Sequence, residues 1–476
     1  MMSGIRREGL GAYGLAMLSG ALLAMSYAMN PIWWAAWLAP APVIVATLRA
    51  PVADRRRLTL LAGLIGGTSS FSYHLMVGGW FSAMLILALV AVAWSSTIRL
   101  GVTFAERRQL LPAVLAVPIG WAAIDMLLIH VSPHGSAGSI AYSQMNALPV
   151  LQVASLGGMP AITFVVLLAG SSLGILWATR GRIDRRGLPM VLVVAVTVIG
   201  ATLSFGFMRL SGTAPAPGLS VALIATDGIR SQPRDWDVFR DTYGRAIARV
   251  IAPGMIVLLP EGVVRLPAVV AERGARSLAA YAARKNATIV VGVIVDEAKR
   301  ITNRALIARP DGSYRWYVKQ HLVPGVEAGI TPGRAAIVLN GTGVAICKDM
   351  HFPTLERDYA GKDARVMLVP ANDFAVDDWL TARMTVLRGV EGGASIARAA
   401  RHGISVVSDR YGRVIAERRS NAAMGILRAR IPVDPGDATI YAMVGDVFGW
   451  GCVLAWILLL VLRSGGFSRG FARGGF

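Results

Sequence analysis

The sequence predicts an α/β layered domain set between membrane-spanning helices. Three observations lead there. The apolar residues crowd into the first 210 positions and the last 35, much of the Arg lies between those apolar runs, and the stretch from 211 to 443 alternates short β-branched runs with amphipathic segments. Of 476 residues, 54% are hydrophobic and 16% charged, against roughly 25% charged in an average soluble domain, so a purely soluble protein is not expected. A formal net charge of +20 would suggest nucleic acid in a soluble protein. Here the basic residues flank apolar runs, which sets membrane orientation, and no nucleic-acid partner is expected. Two cysteines, Cys347 and Cys452, exclude a disulfide scaffold and a Cys-rich zinc or iron-sulfur site. The six histidines show no metal-ligand spacing, so neither a metal nor a cofactor is expected.

A bilayer core needs about 20 apolar residues in helical form. Candidate spans lie at about 10–29, 31–49, 58–78, 80–98, 110–130, 150–179, 189–208 and 445–462. The first lacks the small-residue cleavage site of a signal peptide and is read as retained. Arg6 and Arg7, Arg55 to Arg57, Arg107 and Arg108, Arg182, Arg185 and Arg186, and Arg463, Arg469 and Arg473 flank alternate span ends. The connections Met29-Asn30, Gly78-Gly79 and His130–Asn146 carry no Lys or Arg. By the positive-inside rule both termini are cytoplasmic and the region after the seventh span lies outside, in the periplasm of a bacterium. Asp125 in the fifth span is costly in lipid unless it is paired or reaches the interface.

The domain boundaries read as 1–210, 211–443 and 444–476, with the linker Gly212–Gly218 opening the middle region. After it come a strand at Val221–Ala225, a helix around Trp236–Ala252, a strand at Met255–Leu259, a helix around Ala268–Arg284 and a strand at Thr288–Val295. Arg304–Ala308 and Tyr314–Lys319 flank a Pro310-Asp311-Gly312 turn and form a hairpin. Then follow Gly343–Cys347, a helix from Pro353, Val366–Val369, a long helix near Trp379–Arg401, and strands at Ile404–Ser408, Val414–Ala416 and Gly425–Ile431. Strands alternating with helices make an α/β layered domain. Its basic residues, such as Arg230, Arg234, Arg240 and Arg245, read as a solvated face.

Three strand ends carry reactive side chains: Glu261 after Leu258-Leu259-Pro260, Lys319 after Tyr317-Val318, and Cys347 after Val344-Ala345-Ile346. Catalytic groups are often carried by loops that a rigid scaffold positions. Cys452 falls in the last span, so Cys347 is the single thiol of the outer domain, and it is either an inert buried side chain or a nucleophile. A thiol needs a base to become thiolate, and a tetrahedral intermediate needs a positive or hydrogen-bonding group at its oxyanion. Glu261, Lys319 and Cys347 supply those three parts.

The order Pro260-Glu261, Lys319-Gln320-His321-Leu322-Val323-Pro324, then Ile346-Cys347 with Phe352-Pro353 resembles the nitrilase superfamily and its Glu-Lys-Cys triad. The Lys-x-His-Leu-Val-Pro run followed by Glu327, set between membrane spans, is similar to the bacterial apolipoprotein N-acyltransferases. So are Asn30-Pro31-Ile32-Trp33-Trp34, Ala141-Tyr142-Ser143-Gln144, Asn372-Asp373, Ala382-Arg383-Met384, Thr439-Ile440-Tyr441 and Gly445-Asp446. The resemblance implies a nitrilase-like αββα sandwich inserted before the last helix of an eight-helix transmembrane base, in a bacterial inner membrane. It implies Glu261 as general base, Lys319 at the oxyanion, Cys347 as acyl carrier, and Glu327 as a second carboxylate that orients Lys319 or shuttles protons. The donor would be a phospholipid and the acceptor the α-amine of a diacylglyceryl-cysteine on an apolipoprotein, handled by a monomer. The chain departs from the family in three places. Lys348-Asp349 replaces an aromatic and Glu after the Cys, Pro324-Gly325-Val326-Glu327 lacks a Phe, and Asn372-Asp373-Phe374-Ala375-Val376 replaces an Asn-Asp-Ala-Trp-Phe run. Two other readings stay open: a membrane-tethered amidohydrolase in which water resolves the thioester, and a non-catalytic binder of lipid or lipoprotein.

Overall fold

The computed structural model describes residues 2–180, 187–211, 218–229, 232–433 and 436–464. The flanking Arg182, Arg185, Arg186, Arg469 and Arg473, most of the 212–218 linker, and Arg230 lie outside the described residues. The chain forms two compact units: Met1–His130 with Gly138–Arg209 and Asp446–Phe476, and Val131–Ala137 with Leu210–Gly445.

The first unit is helical. Among the described residues five helical stretches are long and apolar enough to cross a membrane: Leu10–Tyr27, Val52–Glu106, Leu110–Val131, Ala154–Thr179 and Pro189–Ser211. Val447–Arg463 is a shorter apolar helix. The stretch Val52–Glu106 is interrupted at Gly79, where φ is +69°. The single helix expected over 31–49 is instead Trp33–Leu38 followed by Pro40–Arg49, because Pro40 has no N–H with which to continue the hydrogen-bond ladder. Asp125 is paired. It is buried and accepts hydrogen bonds from Ser139 Oγ at 2.7 Å and Thr163 Oγ1 at 2.5 Å, which satisfy a carboxyl group that lipid cannot.

The second unit holds two mixed sheets. The first contains β1 (Gly218–Ala225), β2 (Ile256–Leu258), β3 (Val264–Pro267), β4 (Thr288–Glu297), β5 (Arg300–Ala308), β6 (Tyr314–Val318) and β13 (Gly425–Pro432), in the order β13-β1-β2-β4-β5-β6 with β3 also paired to β4. The second runs β12-β11-β10-β9-β8-β7, built from β7 (Ile337–Leu339), β8 (Thr342–Val344), β9 (Val366–Asn372), β10 (Ser395–Arg401), β11 (Ile404–Ser408) and β12 (Val414–Arg419).

Side chains one residue apart on a strand point to opposite faces, and the first sheet uses this to build two cores. Val221, Leu223, Leu258, Val290 and Ile307 join Val344, Leu368, Ile396 and Val407 of the other sheet. Their neighbours Ala222, Ile224, Val257, Ile289, Val291 and Leu306 pack with Phe239, Ile247, Ala275 and Leu278 of the helical segments 236–250 and 268–285. On the far side of the second sheet, helix Asp378–Gly392 packs on β10 and β11. The layers are therefore helix, sheet, sheet, helix.

The long helix expected to Arg401 ends at Gly392, where Gly393 takes φ +85°, and Ser395–Arg401 becomes β10. Its Ala and Arg residues favour a helix locally. Every residue of the strand is buried between β9 and β11, so tertiary pairing overrides that preference and erases the alternation by which a strand is recognised. The short strands β3 and β7 likewise have no counterpart among the expected elements.

Candidate active site

The site collects where strands of both sheets end. Glu261 follows β2 in a turn clamped at several points. Leu259 N–H donates to Val290 O at 2.9 Å, Gly292 N–H to Pro260 O at 3.2 Å, and Glu261 N–H to Ala371 O of β9 at 3.3 Å. Lys319 follows β6, its N–H donating to Asn303 O at 2.9 Å. Glu327 lies in the loop beyond, which it closes by accepting Val323 N–H on Oε2 at 2.7 Å.

Cys347 does not end a strand as expected. β8 stops at Val344, and Cys347 opens a 3-10 helix, Cys347–His351, with φ at +44°. That conformation is uncommon for a side chain other than Gly, Asn or Asp, and Asp349 helps to hold it. The Asp349 carboxylate accepts Ile346 N–H at 3.0 Å, His321 N–H at 2.8 Å, Gln320 N–H at 3.1 Å and Tyr317 OH at 2.7 Å. One buried carboxylate thus joins the turn carrying the thiol to the strand end carrying the lysine.

Glu261, Lys319 and Glu327 meet directly. Lys319 Nζ donates to Glu261 Oε1 at 2.7 Å and to Glu327 Oε2 at 2.8 Å, with the lysine 1% exposed. Asn303 Nδ2 repeats the pattern, at 2.6 Å to Glu261 Oε1 and 2.9 Å to Glu327 Oε1. The thiol lies within the same electrostatic field, with Sγ 3.7 Å from Asn372 O and 3.9 Å from Asp373 Oδ1. Asp373 is itself held by both Nη atoms of Arg398, at 2.9 and 2.5 Å.

Burial disfavours the Lys319 ammonium, but Glu261, Cys347 and Glu327 outweigh it and hold the amine above its ordinary value. Burial raises the Glu261 carboxyl, with Lys319 opposing and Glu327 adding. The Cys347 thiol is pushed well up by burial, then by Glu261 and Asp373, against Lys319 and Arg398. Such a thiol rests protonated and needs a base at the moment it attacks. Glu261 has a carboxylate for that proton, and Lys319 is a fixed cation for an oxyanion.

All four residues singled out from the sequence thus come into one site. Asn303 is not among them, although a signal existed. The hairpin turn after β5 pairs Ala308 with Tyr314 and Arg304 with Val318, which brings Asn303 beside Lys319. Arg398 is hidden from sequence reasoning because its strand reads as helix.

The sequence model of the apolipoprotein N-acyltransferase N-terminal domain matches residues 19–172, and that of carbon-nitrogen hydrolase matches residues 264–441. The second unit therefore has a nitrilase-like carbon-nitrogen hydrolase fold. A protein of Geobacter metallireducens named apolipoprotein N-acyltransferase is 26% identical over 497 residues, covering 93% of each chain. One of the same name from Pasteurella multocida is 19% identical, covering 95% of each. Among solved structures, Saccharomyces cerevisiae Nit3, of the nitrilase superfamily, is similar at 23% identity and a TM-score of 0.39, over 49% of this chain and 95% of that one.

Proposed function

The chain belongs to the apolipoprotein N-acyltransferase family, and from that premise we propose that it moves an acyl chain from a phospholipid, through a thioester on Cys347, to the N-terminal amine of diacylglyceryl-cysteine on apolipoproteins. The observation that carries the chemistry is the pair of bonds from the buried Lys319 ammonium to Glu261 and Glu327, in the same electrostatic field as the only thiol of the second unit.

In the first half reaction Glu261 takes the proton of Cys347 as the sulfur attacks the ester carbonyl. Lys319 faces the oxyanion, and collapse expels the lysophospholipid alcohol, which takes the proton back from Glu261. In the second, the acceptor amine attacks the thioester, Glu261 receives its proton, and the thiolate leaves and is reprotonated. Glu327 and Asn303 keep Lys319 and Glu261 in register through both steps. The base is an eight-span one in a bacterial inner membrane, with the catalytic unit in the periplasm and the protein acting as a monomer.

The amidohydrolase reading is not favoured, since the relatives named as N-acyltransferases span nearly the whole chain, membrane part included. Intact-mass measurement of the purified protein, incubated with phospholipid, should find an adduct of fatty-acyl size on Cys347. A diacylglyceryl peptide should then discharge it. A thioester that decays equally fast with and without the peptide would make water the acceptor and overturn the proposal.

A further inference from the structure

Residues Val131–Ala137 lie in sequence between two apolar helical segments, yet they belong to the catalytic unit. They meet the 3-10 helix that begins at Cys347. The His351 carbonyl, at the end of that helix, accepts Ser136 N–H at 3.0 Å and Ser136 Oγ–H at 2.7 Å. Gly135, at φ +58°, runs so close that a Cβ there would stand 2.6 Å from the same oxygen. Lys348, the residue after the nucleophile, is 3% exposed, and its Nζ lies 3.2 Å from His134 Nδ1. An ammonium has only donors, so His134 accepts at Nδ1 and carries its proton at Nε2. The two half reactions described above make no use of this pair, of which Lys348 is buried and His134 half-buried.

We propose that Lys348, pinned by His134, is a positioning residue of the acyl-transfer centre: it holds the turn carrying the nucleophile against residues 131–137 and adds a further cation, beside Lys319 and Arg398, to the field at the Cys347 sulfur. The inference rests on the reading of Cys347 as the nucleophile. The charged and titratable groups around Lys348 are Cys347, Asp349 and His351 on its own helix, Lys319 after β6, Glu327 in the loop beyond, and His134, and those acting on the sulfur are Glu261, Asp373, Lys319 and Arg398. Burial and the Lys319 charge push the Lys348 amine down to about 8, while Cys347 and Glu327 oppose them. Burial, then the Lys348 charge, keep His351 neutral. Around neutral pH Lys348 is therefore charged, and it adds to the field of Lys319 and Arg398 at the sulfur.

The test is the pH–rate profile of Cys347 alkylation by iodoacetamide in the full-length protein, in a Cys452→Ala background, followed by intact mass. Lys348→Met should slow the reaction roughly tenfold at neutral pH, where the lysine is charged, and leave it unchanged well above about 8, where it is not; Lys348→Arg should restore the neutral rate. His134→Leu keeps the lysine but removes its acceptor, and should slow the neutral reaction by less. Neutral rates equal to wild type in both Lys348→Met and His134→Leu overturn the proposal, whether or not the unfolding temperature falls. If Lys348→Met does not fold, the His134→Leu profile decides alone, on the same terms. Iodoacetamide needs neither acyl donor nor acceptor. Failure of the transferase reading would instead appear as a wild-type protein that alkylates but never carries an acyl adduct.

Discussion

Each reactive side chain is placed by bonds that also fix its charge state. Lys319 balances two carboxylates inside the protein, and removing one partner of a buried ion pair costs about 3–5 kcal/mol because the remaining charge is stranded. Lys319→Ala is therefore expected to lower the unfolding temperature as well as the rate, the rate by about 100- to 1000-fold as expected for a lost oxyanion donor. Glu261→Gln keeps size and hydrogen bonding but cannot take a proton, so it should block thioester formation with little change in unfolding temperature. Cys347→Ala should carry no acyl adduct, and Cys347→Ser at most a trace, since an alcohol is much harder to deprotonate than a thiol. Cys452→Ala should leave transfer intact. Mass analysis of the acyl-enzyme, paired with thermal unfolding, separates these outcomes. Full transferase activity in Cys347→Ala would remove the mechanism.

At the scale of elements, the site depends on how closely the turn after β2 approaches β4. A Cβ on Gly292 would come within 2.5 Å of Glu261 Cα and would also strike the Pro260 carbonyl. These are backbone atoms, which cannot swing aside as a flexible side chain can. Gly292→Ala is thus expected to displace Glu261, costing about 1–3 kcal/mol in stability for overpacking and about tenfold or more in the rate of acylation. Measured acylation equal to wild type would mean that the turn tolerates the shift and that Glu261 is less tightly registered than the bonds of its turn to Gly292 and β9 imply. The departure at Asp349 is explained at this scale too. The shorter acid reaches the ends of β6 and the 3-10 helix together, and so ties two of the elements that carry the site.

For the whole molecule, every Arg-bearing short loop between spans lies at the same end of alternate spans, so the catalytic unit is expected on the opposite side, outside the cytoplasm. A reporter active only in the cytoplasm, fused within Gly212–Gly218 in place of the downstream chain, should be silent. A bright signal would invert the topology and with it the argument that a single thiol in an oxidising compartment is kept for chemistry.

Much of this was legible from residues alone. Hydropathy marked the apolar helices because a long unbroken apolar run needs no partner elsewhere in the chain to be recognised, and the strand ends at Glu261 and Lys319 stood out because a charge follows an apolar run. The family motifs brought Glu327 and Asp373 into view. What the tertiary structure decided were the features that depend on partners distant in sequence. β10 is a strand because β9 and β11 bury it on both sides. Arg398 enters the site through Asp373, 25 residues away. The positive φ of Cys347 and the reach of His134 to Lys348 across 214 residues have no local signal, because a local pattern records what a segment prefers alone, whereas these positions are fixed by the bonds that others make to them.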